Sequence, residues 1–295
     1  MVLVSVIIPS HDSGALLARA VDSVIPQTFD DFEIVIVDDG SVEPQRHIVG
    51  LDPRIRLIEQ PNRGVSVARN EGVAAARGEY IAFLDHDDEW MPHKLARQLE
   101  SVSARPDAPF WCTAFEWTWA DRSQPSDTAP ITYHGLLSTQ TVLLSSVLVR
   151  RRDYWRVGGQ NPVRARAEDW EFLLNLAMDA PPPEIVAEPL VRYHLHDRNA
   201  SRMFEDGLAE RLAVLDNHAR RARRRGDVET LRAIRRGRAR TRELFAHQAI
   251  DAGRECLAGA DRRAALRHFA IAARLDSGVL AGAIGASVRR RVAIR

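Results

Sequence analysis

Residues 78–90 read GEYIAFLDHDDEW. Within them Tyr80–Leu84 is an unbroken apolar run, followed at once by Asp85-His86-Asp87-Asp88. A run that short, with no polar alternation, reads as a strand covered on both faces. Upstream, Val65–Ala76 reads as a small-residue helix, with Gly78 where a terminating C′ glycine belongs. Downstream, Pro92 suits the first turn of another helix.

The same pattern recurs toward the N-terminus. Val2–Pro9 is a continuous apolar run closing in Pro9-Ser10-His11-Asp12. Phe32–Val37 is a second, closing in Asp38-Asp39-Gly40-Ser41, and Ile55–Ile58 is a short third. Ser13 suits the N-cap of a helix carrying Leu16, Leu17, Ala20, Val21 and Val24. Strands alternating with helices predict an α/β fold, a mostly parallel sheet with right-handed crossovers.

Beyond residue 105 the pattern loosens. Phe110–Trp117 and Ser145–Arg150 read as strands, Asp169–Asp179 as a helix ended by Pro181-Pro182-Pro183, and Val191–Leu195 as a last strand. From about Phe204 the chain is helical and Arg-rich. Ala209–Arg224 and Val228–Ala246 predict two long helices broken at Gly226. Ala249–Leu257 and Asp261–Leu275 predict a helical hairpin around Ala258-Gly259-Ala260.

The 295 residues, 45% hydrophobic and 27% charged, are globular in composition, and a net charge of +1 gives no reason to expect a nucleic-acid partner. The charge is divided unevenly. Residues 1–200 hold 19 Lys+Arg against 29 Asp+Glu, whereas residues 201–295 hold 22 Arg against 11 acidic residues. Two isolated cysteines, Cys112 and Cys256, make neither a disulfide framework nor a zinc spacing. They point to a reducing, cytoplasmic compartment. MVLVSVIIPS has no basic lead and ends in a strand-like run, so it reads as a buried strand rather than a signal peptide.

In an open α/β sheet ligands bind beyond the carboxyl ends of the strands. Three such ends are rich in polar groups, and so many carboxylates on one rim repel each other unless a cation joins them. Oxygen ligands point to a hard divalent ion, Mg²⁺ or Mn²⁺, and to a phosphate. The chain has neither GxGxxG nor GxxxxGK[ST], which weakens a dehydrogenase or P-loop reading.

Together VSVIIPSHD, FEIVIVDDGS, NRGVSVARN, GEYIAFLDHDDEW and AEDWEFLL resemble the family-2 glycosyltransferases, inverting enzymes of the GT-A fold, over about residues 3–200. The resemblance implies a Rossmann-like GT-A domain over 1–204, with a nucleotide-sugar half at about 1–105 and an acceptor half at about 106–204. A basic all-helical extension follows over 205–295. It implies a nucleotide-sugar pocket bounded by Pro9, Ser10, Asp12, Asp39, Arg69, Asp85 and His86, with Asp39 meeting the base and Asp85 toward the ribose. It implies a metal on Asp87, with His196 as a further ligand, and Asp169 as the catalytic base. The His11-Asp12 pair departs from the commoner aromatic and Asn of the family, which bears on base specificity. Adjacent helix residues point about 100° apart, so only one of Glu168 and Asp169 faces the reaction. His194 reads as a structural histidine, and Trp90 and Trp170 as packing residues, with Trp170 also a candidate border of the acceptor site.

The resemblance therefore implies sugar transfer from a nucleotide-activated donor, a UDP-sugar, to a hydroxyl-bearing acceptor. That acceptor is a saccharide, a lipid-linked saccharide or a secondary metabolite. A sugar nucleotidyltransferase and an inactive binding module are the alternatives. The Arg run 220–225 reads as a solvated helix face or a patch for a polyanion or membrane surface. With an apolar, Arg-flanked C-terminus, the basic tail predicts peripheral contact at the inner membrane face, or a homodimer contact.

Overall fold

A computed structural model describes residues 2–119, 122–195 and 204–283. The chain divides into two compact units, Met1–Leu136 with Gln140–Asp197, and Leu137–Thr139 with Arg198–Arg295.

In the first unit, β1 (Val4–Ser10), α1 (Ala15–Val24), β2 (Phe32–Asp39), β3 (Ile55–Gln60), α2 (Val65–Ala75) and β4 (Tyr80–Phe83) alternate as their sequence predicts. There follow β5 (Glu89–Trp90), α3 (Lys94–Ala104), β6 (Trp111–Thr118), β7 (Ser123–Pro125) and α4 (Tyr133–Ser138). Then come β8 (Leu148–Arg150), α5 (Arg151–Arg156), α6 (Glu168–Ala177) and β9 (Glu184–His194). One sheet runs β3-β2-β1-β4-β8-β6-β9-β5, with β7 paired to β6. Pairing is parallel across β3-β2-β1-β4 and between β6 and β9, and antiparallel on both sides of β8.

Both β1 and β2 are buried along their whole length, which is what their unbroken apolar runs predict. On one sheet face α1 buries Leu17, Ala20, Val21 and Val24, an i, i+3, i+4, i+7 stripe. Burying each Leu or Val side chain contributes about 1.5–3 kcal/mol. Pro9 is tolerated inside β1 for a topological reason. The Ile7 carbonyl accepts from Leu84, so odd residues of β1 face β4. The β1–β4 ladder ends at Ile7 opposite Phe83, before the missing Pro9 N–H would be needed.

Several local expectations change. Gly14, at φ 54°, is the N-cap residue of α1, and the Ser13 hydroxyl lies 2.6 Å from that of Ser10 instead of capping. Pro92 precedes α3, whose N-cap is His93. The strand expected from Ser145 is a 3₁₀ turn, Leu144–Ser146, before the short β8. β9 begins seven residues before Val191, because Glu184, Glu188 and Pro189 obscure its apolar pattern. Its ladder with β6 shifts register on either side of Ala114.

Gly78 is not a left-handed helix cap, since α2 ends at Ala75 with Ala76 extended at ψ 141°. The glycine is required by close approach: a Cβ there would lie 2.6 Å from Ser5 N and 2.8 Å from Val4 C, in the backbone of β1. The Gly78 N–H donates to Ser5 Oγ at 2.9 Å. Gly78→Ala therefore overpacks the start of β1 and is expected to destabilise the chain by about 1–3 kcal/mol. A urea midpoint unchanged from wild type would refute that account.

Besides residues 137–139, the described part of the second unit holds α7 (Phe204–Arg225), α8 (Val228–Ala258) and α9 (Arg262–Leu275). Gly226, at φ 67°, makes the α7–α8 break, and the Asp227 carboxylate caps α8 by accepting from Thr230 N. The helices expected over 228–246 and 249–257 are one helix. The polar pair His247-Gln248 interrupts the apolar pattern but not the backbone, and Ala246, Ala249, Ile250 and Gly253 stay on a buried face. No helix among the described residues is long and apolar enough to cross a membrane.

Candidate active site

The chain runs outward from β1 to β2 and β3, then returns to the other side of β1 with β4. The order reverses between β1 and β4, and in such sheets the ligand crevice opens there, past the carboxyl ends. The segments Pro9-Ser10-His11-Asp12 and Asp85-His86-Asp87-Asp88 leave the sheet at this point, with Asp38-Asp39 one strand further out.

The β2 end is fully wired. Asp38 accepts from Ser41 N at 3.0 Å and Gln45 N at 3.3 Å. Asp39 accepts from Gln60 Nε2 at 2.6 Å, Arg63 N at 2.8 Å and Gly64 N at 2.8 Å. Gly64 is the N-cap residue of α2, so Asp39 anchors the helix that carries Arg69. Asp12, at φ 46°, clasps the neighbouring loop: its N–H donates to Ser41 Oγ and its carboxylate accepts from Val42 N. Ser10 is buried, whereas His11 is half-exposed and touches Asn62 Nδ2 at 3.1 Å.

Arg69 is the centre of the arrangement. Its side chain is 5% exposed, with Nη2 2.6 Å from Asp85 Oδ1 and Nη1 3.3 Å from Glu168 Oε1. Nη1 also donates to Gln160 Oε1 at 3.0 Å. Burial pulls the guanidinium's pKa down, but Asp85 and Glu168 outweigh it and raise it above the ordinary value. The repulsion expected among the rim carboxylates is thus relieved in part by a cation of the chain itself. Arg69 joins the end of β4 to the start of α6, two places well separated in sequence.

The four residues after β4 separate by environment. Asp85, His86 and Asp87 are half-buried and Asp88 is fully buried. Burial pushes the Asp88 carboxyl well above the usual range, with Asp87 and Asp85 adding to the shift. Ser145 Oγ donates to it. Arg19 fixes the segment by donating to the Asp87 carbonyl at 2.8 Å and pairing with Glu89 at 2.9 Å. His194 sits on β9 with Nε2 2.7 Å from Glu89 Oε1, its pKa lowered by burial and by Arg19. His196 lies outside the described residues.

At the start of α6, Glu168 and Asp169 diverge. Glu168 is 8% exposed and turned inward on Arg69. Its carboxyl is pushed up to about 7, first by burial and then by Asp169, against the pull of Arg69. Asp169 is half-buried. Its Oδ1 accepts from Trp170 N and its Oδ2 from Gln140 Nε2 at 2.7 Å. Trp170 is 1% exposed and donates to the Leu136 carbonyl, so it packs inward and does not border an open acceptor cleft. Trp90 is also buried, with Nε1 donating to the Ser145 carbonyl and Lys94 Nζ 3.6 Å from its ring centroid. Gln140, Gln160, Ser145 and Arg19 escape the sequence reading because no local pattern marks them.

Among the described residues no group of three or more His, Cys, Asp or Glu side chains is arranged to hold an ion. Mg²⁺ commonly takes one or two protein carboxylates and fills its remaining positions with water and substrate phosphates. The half-buried Asp87 carboxylate, a hard oxygen donor at the crevice, fits that mode.

A switch-point crevice with an acidic segment after β4 and a second acidic pair opening α6 defines a GT-A glycosyltransferase domain. The chain belongs to glycosyl transferase family 2: the family model matches residues 5–147. A Bacillus subtilis glycosyltransferase named for teichuronic acid biosynthesis, TuaG, is 34% identical over 190 residues, covering 60% of this chain and 74% of that protein. An uncharacterized Nostoc glycosyltransferase is 47% identical over 102 residues, and the match spans 33% of this chain and 32% of the relative's own length. The Staphylococcus aureus TarS structure, residues 1–349 with UDP, superposes with a TM-score of 0.65 at 14% identity, covering 94% of this chain and 92% of that one. That likeness is one of fold.

Proposed function

We propose that the chain transfers a sugar, with inversion, from a nucleoside diphosphate donor to the hydroxyl of an acceptor. The observation that carries this reading is the divergence at α6. One carboxylate, Glu168, is clamped on Arg69, which leaves Asp169 half-buried at the rim that Asp85–Asp88 also border. Inverting transfer is a single in-line displacement, needing a base on the acceptor side and charge stabilisation on the leaving side. Asp169 takes the acceptor hydroxyl's proton, and Gln140 holds its carboxylate in place. Asp85, fixed by Arg69, faces the ribose, with His86 beside it, while Pro9, Ser10, Asp12 and Asp39 bound the nucleoside side.

Asp87 would hold a divalent cation, Mg²⁺ or Mn²⁺, which when bound would supply positive charge for the departing diphosphate. A UDP-sugar is the proposed donor, supported by the UDP and UDP-GlcNAc complexes of TarS. Similarity to TuaG favours a saccharide acceptor.

The deciding experiment is a donor panel scored by nucleoside diphosphate release. With the accepted donor, EDTA should abolish turnover and Mn²⁺ or Mg²⁺ should restore it. Full turnover after exhaustive chelation would remove the metal from the proposal, and release from none of the nucleotide sugars would remove the transfer itself.

A further inference from the structure

The second unit carries a feature that sugar transfer does not use. A cavity of about 210 Å³ between α7 and α8 is lined by Ala219, Leu231 and Ile234, and by Arg223, Arg235 and Arg238. Arg238 pairs with Asp216. Neither Arg223 nor Arg235 has an ion-pair partner among the described residues, and both are exposed. Residues 220–242 hold eleven arginines and two acids, Asp227 and Glu229, and Asp227 is engaged in capping α8.

Helix electrostatics accounts for part of this. Arg223, Arg224 and Arg225 occupy the last turn of α7, where cations are favoured. Arg232, Arg235 and Arg236 lie in the second and third turns of α8, near the end where the dipole offers cations no such support. Guanidiniums this dense repel one another, and an external array of phosphates relieves the repulsion. Arginine meets phosphate bidentately, through a planar fork.

Two observations choose among phosphate-bearing partners. No aromatic residue occurs in 220–242, so the surface lacks the stacking platform that single-stranded nucleic acid uses. At the turn between the helices, Val228 is 57% exposed beside the arginines. A solvent-facing aliphatic among cations suits the boundary between headgroups and acyl chains.

We propose that the α7–α8 hairpin docks the protein on an anionic lipid surface, with Arg223 and Arg235 gripping a headgroup phosphate at the mouth of the cavity and Val228 entering the headgroup layer. This narrows the membrane contact expected of the basic tail to a defined hairpin that carries the Arg run 220–225; residues 284–295 lie outside the described ones.

The test is sedimentation of the full chain with vesicles of phosphatidylcholine alone or mixed with phosphatidylglycerol. The mixed vesicles should pellet the protein at low salt and release it at high salt. Arg223→Gln with Arg235→Gln should lower the partition coefficient roughly 30-fold. Arg223→Lys with Arg235→Lys keeps the charge and loses the planar fork, so binding between that of the unaltered chain and that of the Gln pair is expected, which separates charge loss from misfolding. Arg263→Gln with Arg267→Gln, on exposed positions of α9, should bind as the unaltered chain does. Equal pelleting with both vesicle types, an equal loss in the α9 pair, or displacement of the vesicles by a single-stranded RNA oligomer would each overturn the assignment.

Discussion

Asp169→Asn is expected to lower turnover by about 10²–10⁴-fold while donor affinity stays close to wild type. The amide keeps the shape of the side chain and can still accept through its oxygen, so the start of α6 is preserved. What it loses is the basic lone pair that would receive the acceptor's proton. The Asn oxygen can keep the bond from Trp170 N, and Gln140, whose Nε2 now donates to Asp169 Oδ2 at 2.7 Å, can turn its amide so that its oxygen accepts from the Asn nitrogen. A turnover assay beside calorimetry with the nucleoside diphosphate and Mn²⁺ separates the two effects. Near wild-type turnover would move the base elsewhere, with Glu168 the first suspect because burial pushes its carboxyl up to about 7. Parallel loss of donor affinity would instead show that Asp169 sits on the donor side.

The parts of this molecule that were legible in its sequence are those whose cause is local. The apolar runs of β1, β2 and β4 must be covered on both faces, and their polar ends must lie on one rim once the strands are parallel. The motifs carrying the family resemblance are local in the same sense, five short strings in order. The β9 strand was half hidden because two glutamates and a proline interrupt it, a cost absorbed by the shifted ladder with β6. Gly78 was misread because a glycine after a helix has two possible causes, a left-handed cap or a close approach. Only the tertiary position of Ser5 decides between them.

The centre of the candidate site was illegible for a physical reason. Arg69 was recognisable as part of Ala68-Arg69-Asn70, but nothing in that triplet reveals that it bridges Asp85 and Glu168. Charge repulsion at the rim pointed to a divalent ion, and composition could not reveal that the chain itself places the Arg69 guanidinium among those carboxylates. The separate environments of Glu168 and Asp169 follow from the same bridge. Their angular difference on the helix is a property of any α-helix, but which of them turns inward depends on where Arg69 stands.

That bridge is open to a stability test. Arg69→Met keeps the apolar stem of the side chain, as far as the position of Nε, and removes the charged head. Glu168 then loses its nearest compensating charge while remaining 8% exposed, and Asp85 loses its 2.6 Å partner. Breaking one side of a buried ion pair costs about 3–5 kcal/mol, and a loss of that size is expected in urea unfolding near pH 8. The sign of the pH dependence follows from Glu168. Its folded pKa is already raised, and without Arg69 it rises further, so the folded variant binds a proton that the unfolded chain releases. Such a group favours the folded state at low pH, and that advantage fades as pH climbs from the unfolded value through the folded one. The deficit of Arg69→Met against wild type should therefore be smaller at pH 5.5 than at pH 8. Adding Glu168→Gln to Arg69→Met should recover part of the loss at pH 8, because the uncompensated carboxylate is gone. A deficit equal at both pH values, unrelieved by the second substitution, would mean that Arg69 acts by filling space and that the ion bridge does not hold α6 to the end of β4.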